Sequence, residues 1–306
     1  MVAEGVGDGA RSGGSAAAPV AVAAADPARG PLDTFAPDLF AGRVALVTGG
    51  GSGIGRETAL AFARFGADVV VAGRHRETLD DTVAAVDALG GPSRALAVPT
   101  NIRDPDQVDA LRDAALGALG QVDFLVNNAG GQFPALPSKI SDNGWRSVVD
   151  LNLNGTWNMI NRFMGPMTEA GFGAIVNIIH IYSFDRGAPL FVHSGAARAG
   201  VLNMTRTLAP YLGYHGVTIN ALAPGTIGTE GVQANELDVL DIDPARAQEI
   251  ADQVGPMRRM GRTDEVAAVI LFLCSPAARF INGADLVADG GEIRGNWYNF
   301  FERGDL

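Results

Sequence analysis

The sequence predicts an α/β fold, a doubly wound parallel sheet with helices on both faces, organised as a single domain. Two observations carry that prediction. Near-continuous apolar runs alternate with helical patterns, and the first run, Val44-Ala-Leu-Val-Thr48, breaks into a glycine-rich turn that opens a helix at Ile54. Strands covered on both faces read as unbroken apolar runs, and parallel neighbours require a crossover, usually helical. Further apolar runs lie at 68–72, 94–98, 122–126, 174–179, 217–222 and 284–287. The helices between them have recognisable starts. Asp104-Pro105-x-Gln107 combines an N-cap, a proline at the first helical position and a capping-box residue. Ser141 and Thr263 are further expected caps.

The turn after the first strand reads Thr48-Gly49-x-x-x-Gly53-x-Gly55, with Ser52 and Ile54 completing it. Gly49, Gly53 and Gly55 let backbone approach a ligand and let the helix pack on the strand. A helix N-terminus aimed into such a gap suits a pyrophosphate. A glycine-rich turn alone is also an ordinary tight loop; the strand–turn–helix setting favours a nucleotide. The second strand ends in Ala72-Gly73-Arg74-His75-Arg76. An acidic residue at this point accepts from the ribose hydroxyls of a dinucleotide lacking the 2′-phosphate. Here Gly73 stands there, followed by Arg74 and Arg76, whose planar forks match a phosphate, so NADP(H) is the expected cofactor. The plainer alternative is a solvated basic turn before a helix over 77–89, and His75 is expected at the surface.

Composition narrows the function classes. The 306 residues are 47% hydrophobic, no apolar run reaches membrane-spanning length, and the net charge of −11 argues against a nucleic-acid partner. One cysteine, Cys274, permits no internal disulfide, which points to a cytoplasmic setting. Residues 1–38 are rich in Gly, Ala, Pro and Ser and lack the positive start of a secretory signal. They are expected to be a disordered leader, with the folded domain running over 39–306.

Three more strand ends carry motifs: Asn101-Ile102 after the third, Asn127-Asn128-Ala129-Gly130 after the fourth, and Pro224-Gly225-Thr226-Ile227-x-Thr229 after the sixth. Together with the glycine turn, in this order, they resemble the short-chain dehydrogenase/reductase family over residues 39–291. The resemblance implies a Rossmann-like fold. It also implies that the Asn128-Ala129-Gly130 stretch stabilises the sheet and lines the adenosine side of the cofactor. The loop carrying Pro224, Gly225, Ile227 and Thr229 would meet its nicotinamide side.

One site departs from that family's pattern. Its usual members carry Tyr-x-x-x-Lys on the helix after the fifth strand, where the lysine tunes the tyrosine to exchange a proton. Here Ser194 and Arg198 stand at those positions, and the chain's one lysine, Lys139, lies elsewhere. Serine is too weak an acid to replace a tuned phenol. The fifth strand ends Asn177-Ile-Ile-His180-Ile-Tyr182, an arrangement that resembles the 2,4-dienoyl-CoA reductases. The stretches at 127–133 and 193–201 are similar to the peroxisomal trans-2-enoyl-CoA reductases. The resemblance implies reduction of a carbon–carbon double bond conjugated to a thioester. Tyr182 would then donate to the thioester oxygen, supported by Asn152 and Ser194, with Arg198 on the nicotinamide ribose as a fixed charge. The α-carbon proton comes from Tyr182 or from water.

Each of these residues also has a plainer role open to it. Tyr182 is alternatively a loop aromatic under a lid, Ser194 a small residue making room, and Arg198 a partner for an acidic neighbour such as Asp185. His180 aligns with the family's catalytic serine, and His180 and His193 are either acid–base groups or satisfied hydrogen-bonding residues. Residues 230–260 are expected to form a substrate lid with a helix over 244–254. Arg258 and Arg259 there meet phosphates of coenzyme A or are surface charge. Two further functions stay open: a carbonyl reductase or alcohol dehydrogenase using Tyr182 as acid, and a non-catalytic NADP-binding protein. The helices over 142–167 and 194–212, with small residues on the second, predict a homo-oligomer, a tetramer by closed symmetry. The aromatic tail Trp297–Phe301 is expected to pack on the lid or a partner subunit.

Overall fold

The computed structural model describes residues 30–184, 187–243, 246 and 256–294. All the expected strands form: β1 (Val44–Thr48), β2 (Asp68–Gly73), β3 (Ala95–Pro99), β4 (Phe124–Asn127), β5 (Gly173–Ile178), β6 (Val217–Pro224) and β7 (Asp285–Ala288). They pair in parallel in one sheet of order β3-β2-β1-β4-β5-β6-β7. The winding reverses between β1 and β4, and ligands bind beyond the strand ends at such a switch point.

The helices are α1 (Gly53–Arg64), α2 (Arg76–Asp87), α3 (Pro105–Leu119), α4 (Asp142–Val149), α5 (Gly155–Ala170), α6 (Val192–Tyr214) and α7 (Thr263–Cys274). Alternate side chains of β1 feed two cores, as the pleat dictates. Ala45 and Val47 pack with Phe62 of α1 and Ile270 of α7, whereas Val44 and Leu46 pack with Met159 and Phe163 of α5. Both faces are therefore dry, which is why the strands carry no alternation in sequence.

Three local expectations are corrected. The leader's expected end at residue 38 is too late. Leu32, on a 3-10 turn over Pro31–Thr34, is buried in the first core, and Phe40 contacts the rings of Phe62 and Phe124 at 5.0 and 5.3 Å. Single apolar residues among prolines and acids gave no periodic signal; residues 1–29 lie outside the described residues. Asp104 and Ser141 do cap their helices, but Thr263 does not: the Glu265 carboxylate accepts from the Arg262 N–H at the start of α7. Gln107 accepts from the Asn101 N–H instead of closing a box with Asp104. The helix expected over 142–167 is α4 and α5 joined by a π-turn, Asp150–Asn154, in which the Gly155 N–H reaches back to the Asp150 carbonyl.

A buried polar ladder fixes the site-bearing elements to one another. Asn127 Nδ2 donates to Asn177 Oδ1 at 2.8 Å, Asn177 Nδ2 donates to Thr205 Oγ1 at 2.9 Å, and Thr205 Oγ1 donates to the Val201 carbonyl at 2.8 Å. It joins β4, β5 and α6 through the core. Replacing Asn177 by Leu strands two buried partners and is expected to lower stability by about 2–3 kcal/mol. A fall in the urea midpoint with an unchanged m-value is the measurement that checks it.

Candidate active site

The carboxyl ends of the strands open into a groove with two connected halves. The first, of about 290 Å³, lies over the turn between β1 and α1 and is lined by Gly49, Ser52, Gly53 and Ile54. Gly49 and Gly53 have φ of +64° and +50°, a conformation that only glycine adopts cheaply. Gly55 does not line the groove; it packs against the Gly49 carbonyl and brings α1 close to β1. Across the switch point, Thr48 Oγ1 accepts from the N–H groups of Asn128 and Ala129, both at 3.0 Å. Asn128 Nδ2 in turn donates to the Thr48 carbonyl at 2.9 Å. Asn101, Ile102, Asn128, Ala129 and Gly130 complete this half, as the sequence predicts. A side-chain-free cradle beneath a helix N-terminus fits a dinucleotide.

The two arginines after β2 separate. Arg74 lines the groove, beside His75 and Thr78, and pairs with no carboxylate among the described residues. Arg76 does not line it. It heads α2, exposed, and its Nε lies 2.8 Å from both oxygens of Asp80 one turn on. The sequence could not separate them, because which of two near neighbours turns outward depends on where α2 starts. His75 is exposed, as expected, at the rim of the groove.

The second half, of about 270 Å³, lies over the ends of β5 and β6. Pro224, Gly225, Ile227 and Thr229 form one wall, with Thr229 Oγ1 accepting from the Val232 N–H and its methyl set against Gly53. The opposite wall carries His180, Tyr182, Phe191 and Arg198. Of the four residues expected to catalyse, Tyr182 and Arg198 reach this cavity. Asn152 and Ser194 do not. Asn152 is fully buried, and its Nδ2 donates to the carbonyls of Val148 and Gly131 at 2.9 and 2.8 Å. Its Oδ1 accepts from the Gly131 N–H. With both its N–H bonds taken by backbone, it holds the Gly130–Gln132 loop in place and has none left for a substrate oxygen. Ser194 is 1% exposed on the first turn of α6 and does not line the cavity.

Arg198 is the unusual charge. It is 8% exposed, donates from Nη1 to the Ile178 carbonyl, and has no carboxylate partner among the described residues; Asp185 lies outside them. Burial pushes its pKa down to about 10, so it remains a cation at neutral pH. A Cβ on Gly130 would meet this guanidinium and Asn152 Oδ1, so a larger residue where the loop crosses it would displace them. His180 feels the same charge. Burial first, then Arg198, pushes its pKa down to about 4. His193 is buried edge-on to Phe133 and does not reach the cavity.

The expected lid is described only in part, and its helix over 244–254 falls almost wholly outside the described residues. Its base is clipped, with the Gly228 N–H donating to the Gly261 carbonyl and the Gly261 N–H to that of Thr226. Arg259 is held by both oxygens of Glu265, at 2.8 and 2.6 Å. Sequence reading gave no role to Gln132 or Phe191, which also line the cavity. A polar residue two positions past Gly130, on a strand-end loop, was the signal available for Gln132.

A glycine cradle at a switch point, leading into a cavity with a phenol and a buried cation, defines an oxidoreductase that binds a nicotinamide dinucleotide. The chain belongs to the short-chain dehydrogenase/reductase family: the family profile described as Enoyl-(Acyl carrier protein) reductase matches residues 49–292. It is 37% identical to a peroxisomal 2,4-dienoyl-CoA reductase of Pongo abelii, over 84% of this chain and 86% of that protein. It is 41% identical to a cis-4-hydroxycyclohexanecarboxylate dehydrogenase of Sinomonas cyclohexanicum, over 83% and 98%. A short chain dehydrogenase from Bacillus anthracis superposes with a TM-score of 0.72 at 35% identity, over 82% and 96%.

Two predictions follow from these positions. Arg74→Ala is expected to lose most of any preference for NADPH over NADH, on the order of 1.5–3 kcal/mol for a charge-assisted contact, and Arg76→Ala to leave it unchanged. Fluorescence titration with both nucleotides checks this. Because His180 stays neutral in the fold down to about pH 4, the unfolded chain binds the extra proton between pH 6.5 and 4. Stability is therefore expected to be level above pH 6.5 and to fall as pH drops through that window. In His180→Gln the acid slope of the urea midpoint is expected to flatten.

Proposed function

We propose that the protein uses NADPH to reduce a carbon–carbon double bond conjugated to a thioester. One observation carries the reading: Tyr182 shares a cavity wall with a buried arginine that no described carboxylate neutralises. Tyr182 is the one phenol at the cavity among the described residues. Tyr211 and Tyr214 are exposed on the last turns of α6, and Tyr298 lies outside those described. Lysine at the Arg198 position could lose and regain a proton; a guanidinium cannot. The wall is therefore built to stabilise charge, not to relay protons.

The glycine cradle and the Pro224–Thr229 wall would hold the dinucleotide, which when bound would supply hydride for the distal carbon of the conjugated system, the α-carbon taking its proton from Tyr182 or water. Negative charge then gathers on the thioester oxygen. Tyr182 O–H donates to that oxygen, and Arg198 holds a fixed positive charge beside it, where a low-dielectric setting makes both effective. Asn152 keeps the Gly130–Gln132 loop at the height this requires. Arg74 receives the 2′-phosphate. The likeness to 2,4-dienoyl-CoA reductases supports this reading. The likeness to a cyclic alcohol dehydrogenase favours a second one, a carbonyl reductase with Tyr182 as acid.

The assembly proposed is a homotetramer formed through α4–α5 and α6. Its support is the exposure of Trp145, Trp157, Tyr211 and Tyr214, at 40%, 40%, 54% and 88%, on those helices. The aromatic tail lies outside the described residues. Light scattering is expected to give about four times the 31.7 kDa chain mass; a monomer with full activity removes the claim.

Following NADPH oxidation against crotonyl-CoA, a dienoyl-CoA, a long enoyl-CoA and several ketones tests the chemistry. Turnover of thioester alkenes is expected, and turnover of ketones alone selects the second reading. Tyr182→Phe is expected to lower kcat on the order of 100-fold with NADPH affinity intact, as for loss of one oxyanion donor.

A further inference from the structure

We infer that His180 is a second hydrogen-bond donor of this site: a neutral imidazole whose Nε2–H is turned on the substrate's carbonyl oxygen. The backbone contact at Nδ1 assigns the tautomer. Nδ1 lies 3.2 Å from the Tyr182 backbone nitrogen and accepts its N–H, so in a neutral ring the proton sits on Nε2. The ring itself is clamped. It stacks on Tyr182 with centroids 4.4 Å apart and planes at 23°, with Phe191 nearly parallel at 6.3 Å. The His180 N–H donates to Ser183 Oγ at 3.2 Å, which tightens the turn that carries both rings.

The outer edge of that ring lies at the cavity, where its Nε2 is 3.3 Å from Gln132 Nε2. With the proton on Nε2, Gln132 must present its oxygen there, since two N–H donors cannot face each other. With the Gln132 amide turned over in this way, its carbonyl takes the position proposed for a substrate carbonyl. Arg198 is the charged group acting on the ring from α6, and together with burial it opposes a second proton. A neutral imidazole polarises a carbonyl without giving its proton away. Charge on the oxygen is then stabilised from two sides, by the phenol and by the imidazole. This rests on the reading of the cavity as a charge-stabilising site, and it applies to a thioester or a ketone alike.

The test separates the two. In protein labelled with ¹⁵N-histidine, the His180 ring signals are identified by their loss in His180→Gln. The expected pattern is the Nε2–H tautomer, unchanged from pH 5.5 to 8, with the Nε2–H proton moving downfield when NADP⁺ and butyryl-CoA or cyclohexanone are added. An Nδ1–H tautomer, or titration near pH 6.5, overturns the inference without any turnover measurement. With whichever of crotonyl-CoA or a ketone the parent reduces, His180→Leu is expected to lower kcat on the order of 100-fold with a smaller change in KM. His180→Gln, which keeps an N–H donor, is expected to recover part of that loss. Unchanged NADPH affinity shows that both variants are folded. A kcat within twofold of the parent in His180→Leu overturns the inference. Reduction of ketones alone overturns the thioester reading and leaves this one standing.

Discussion

One hydroxyl fastens the sheet where its winding reverses. Thr48 Oγ1 accepts two backbone N–H groups from the start of the β4 loop, and Asn128 returns a bond to the Thr48 carbonyl. Parallel strands β1 and β4 splay past their last ladder bond, because their chains leave toward opposite faces. The splay makes the groove, and the cross-link sets how far it opens. The glycine turn on one side and the Gly130–Gln132 loop on the other are held at a fixed separation only because this fastening is present.

From that point the loop runs to a second constraint, the buried guanidinium of Arg198. A charge removed from water without a carboxylate is costly unless other polar groups meet it. Here the Ile178 carbonyl at the end of β5 does so. The same cation crowds Gly130 and opposes protonation of His180. Three features that look independent in sequence, a glycine, a histidine and an arginine, answer to one charge.

Much of this was readable from the chain alone. Every strand was: burial on both faces writes an unbroken apolar run in the five inner strands, and the half-buried edge strands β3 and β7 still read as short apolar runs. The nucleotide half of the groove was, because its chemistry is backbone chemistry that glycine reports directly. The catalytic half was readable only in part. Tyr182 and Arg198 fall where strand and helix counting places them. Asn152 looked like a ligand-binding amide, but whether an amide faces a cavity or a neighbouring carbonyl depends on a π-turn that no residue pattern announces. Arg76 was miscounted for a related reason: Asp80, one helical turn later, competes for it more closely than the groove does. Gln132 carried too weak a signal, since a polar loop residue is ordinary until the groups around it are known.

The π-turn over Asp150–Asn154 also changes the phase of the helix it interrupts. Trp145 and Trp157 are equally exposed on α4 and α5. On an uninterrupted α-helix their spacing would set them about 120° apart around the axis, at roughly 100° per residue. A π-turn absorbs one extra residue, which brings that separation to about 20°. The π-turn thus takes up one extra residue while keeping two indoles on a single stripe. A deletion of one residue in the turn would restore an unbroken α-helix with the indoles eleven residues apart, still about 20° from each other, so the stripe would outlast the turn.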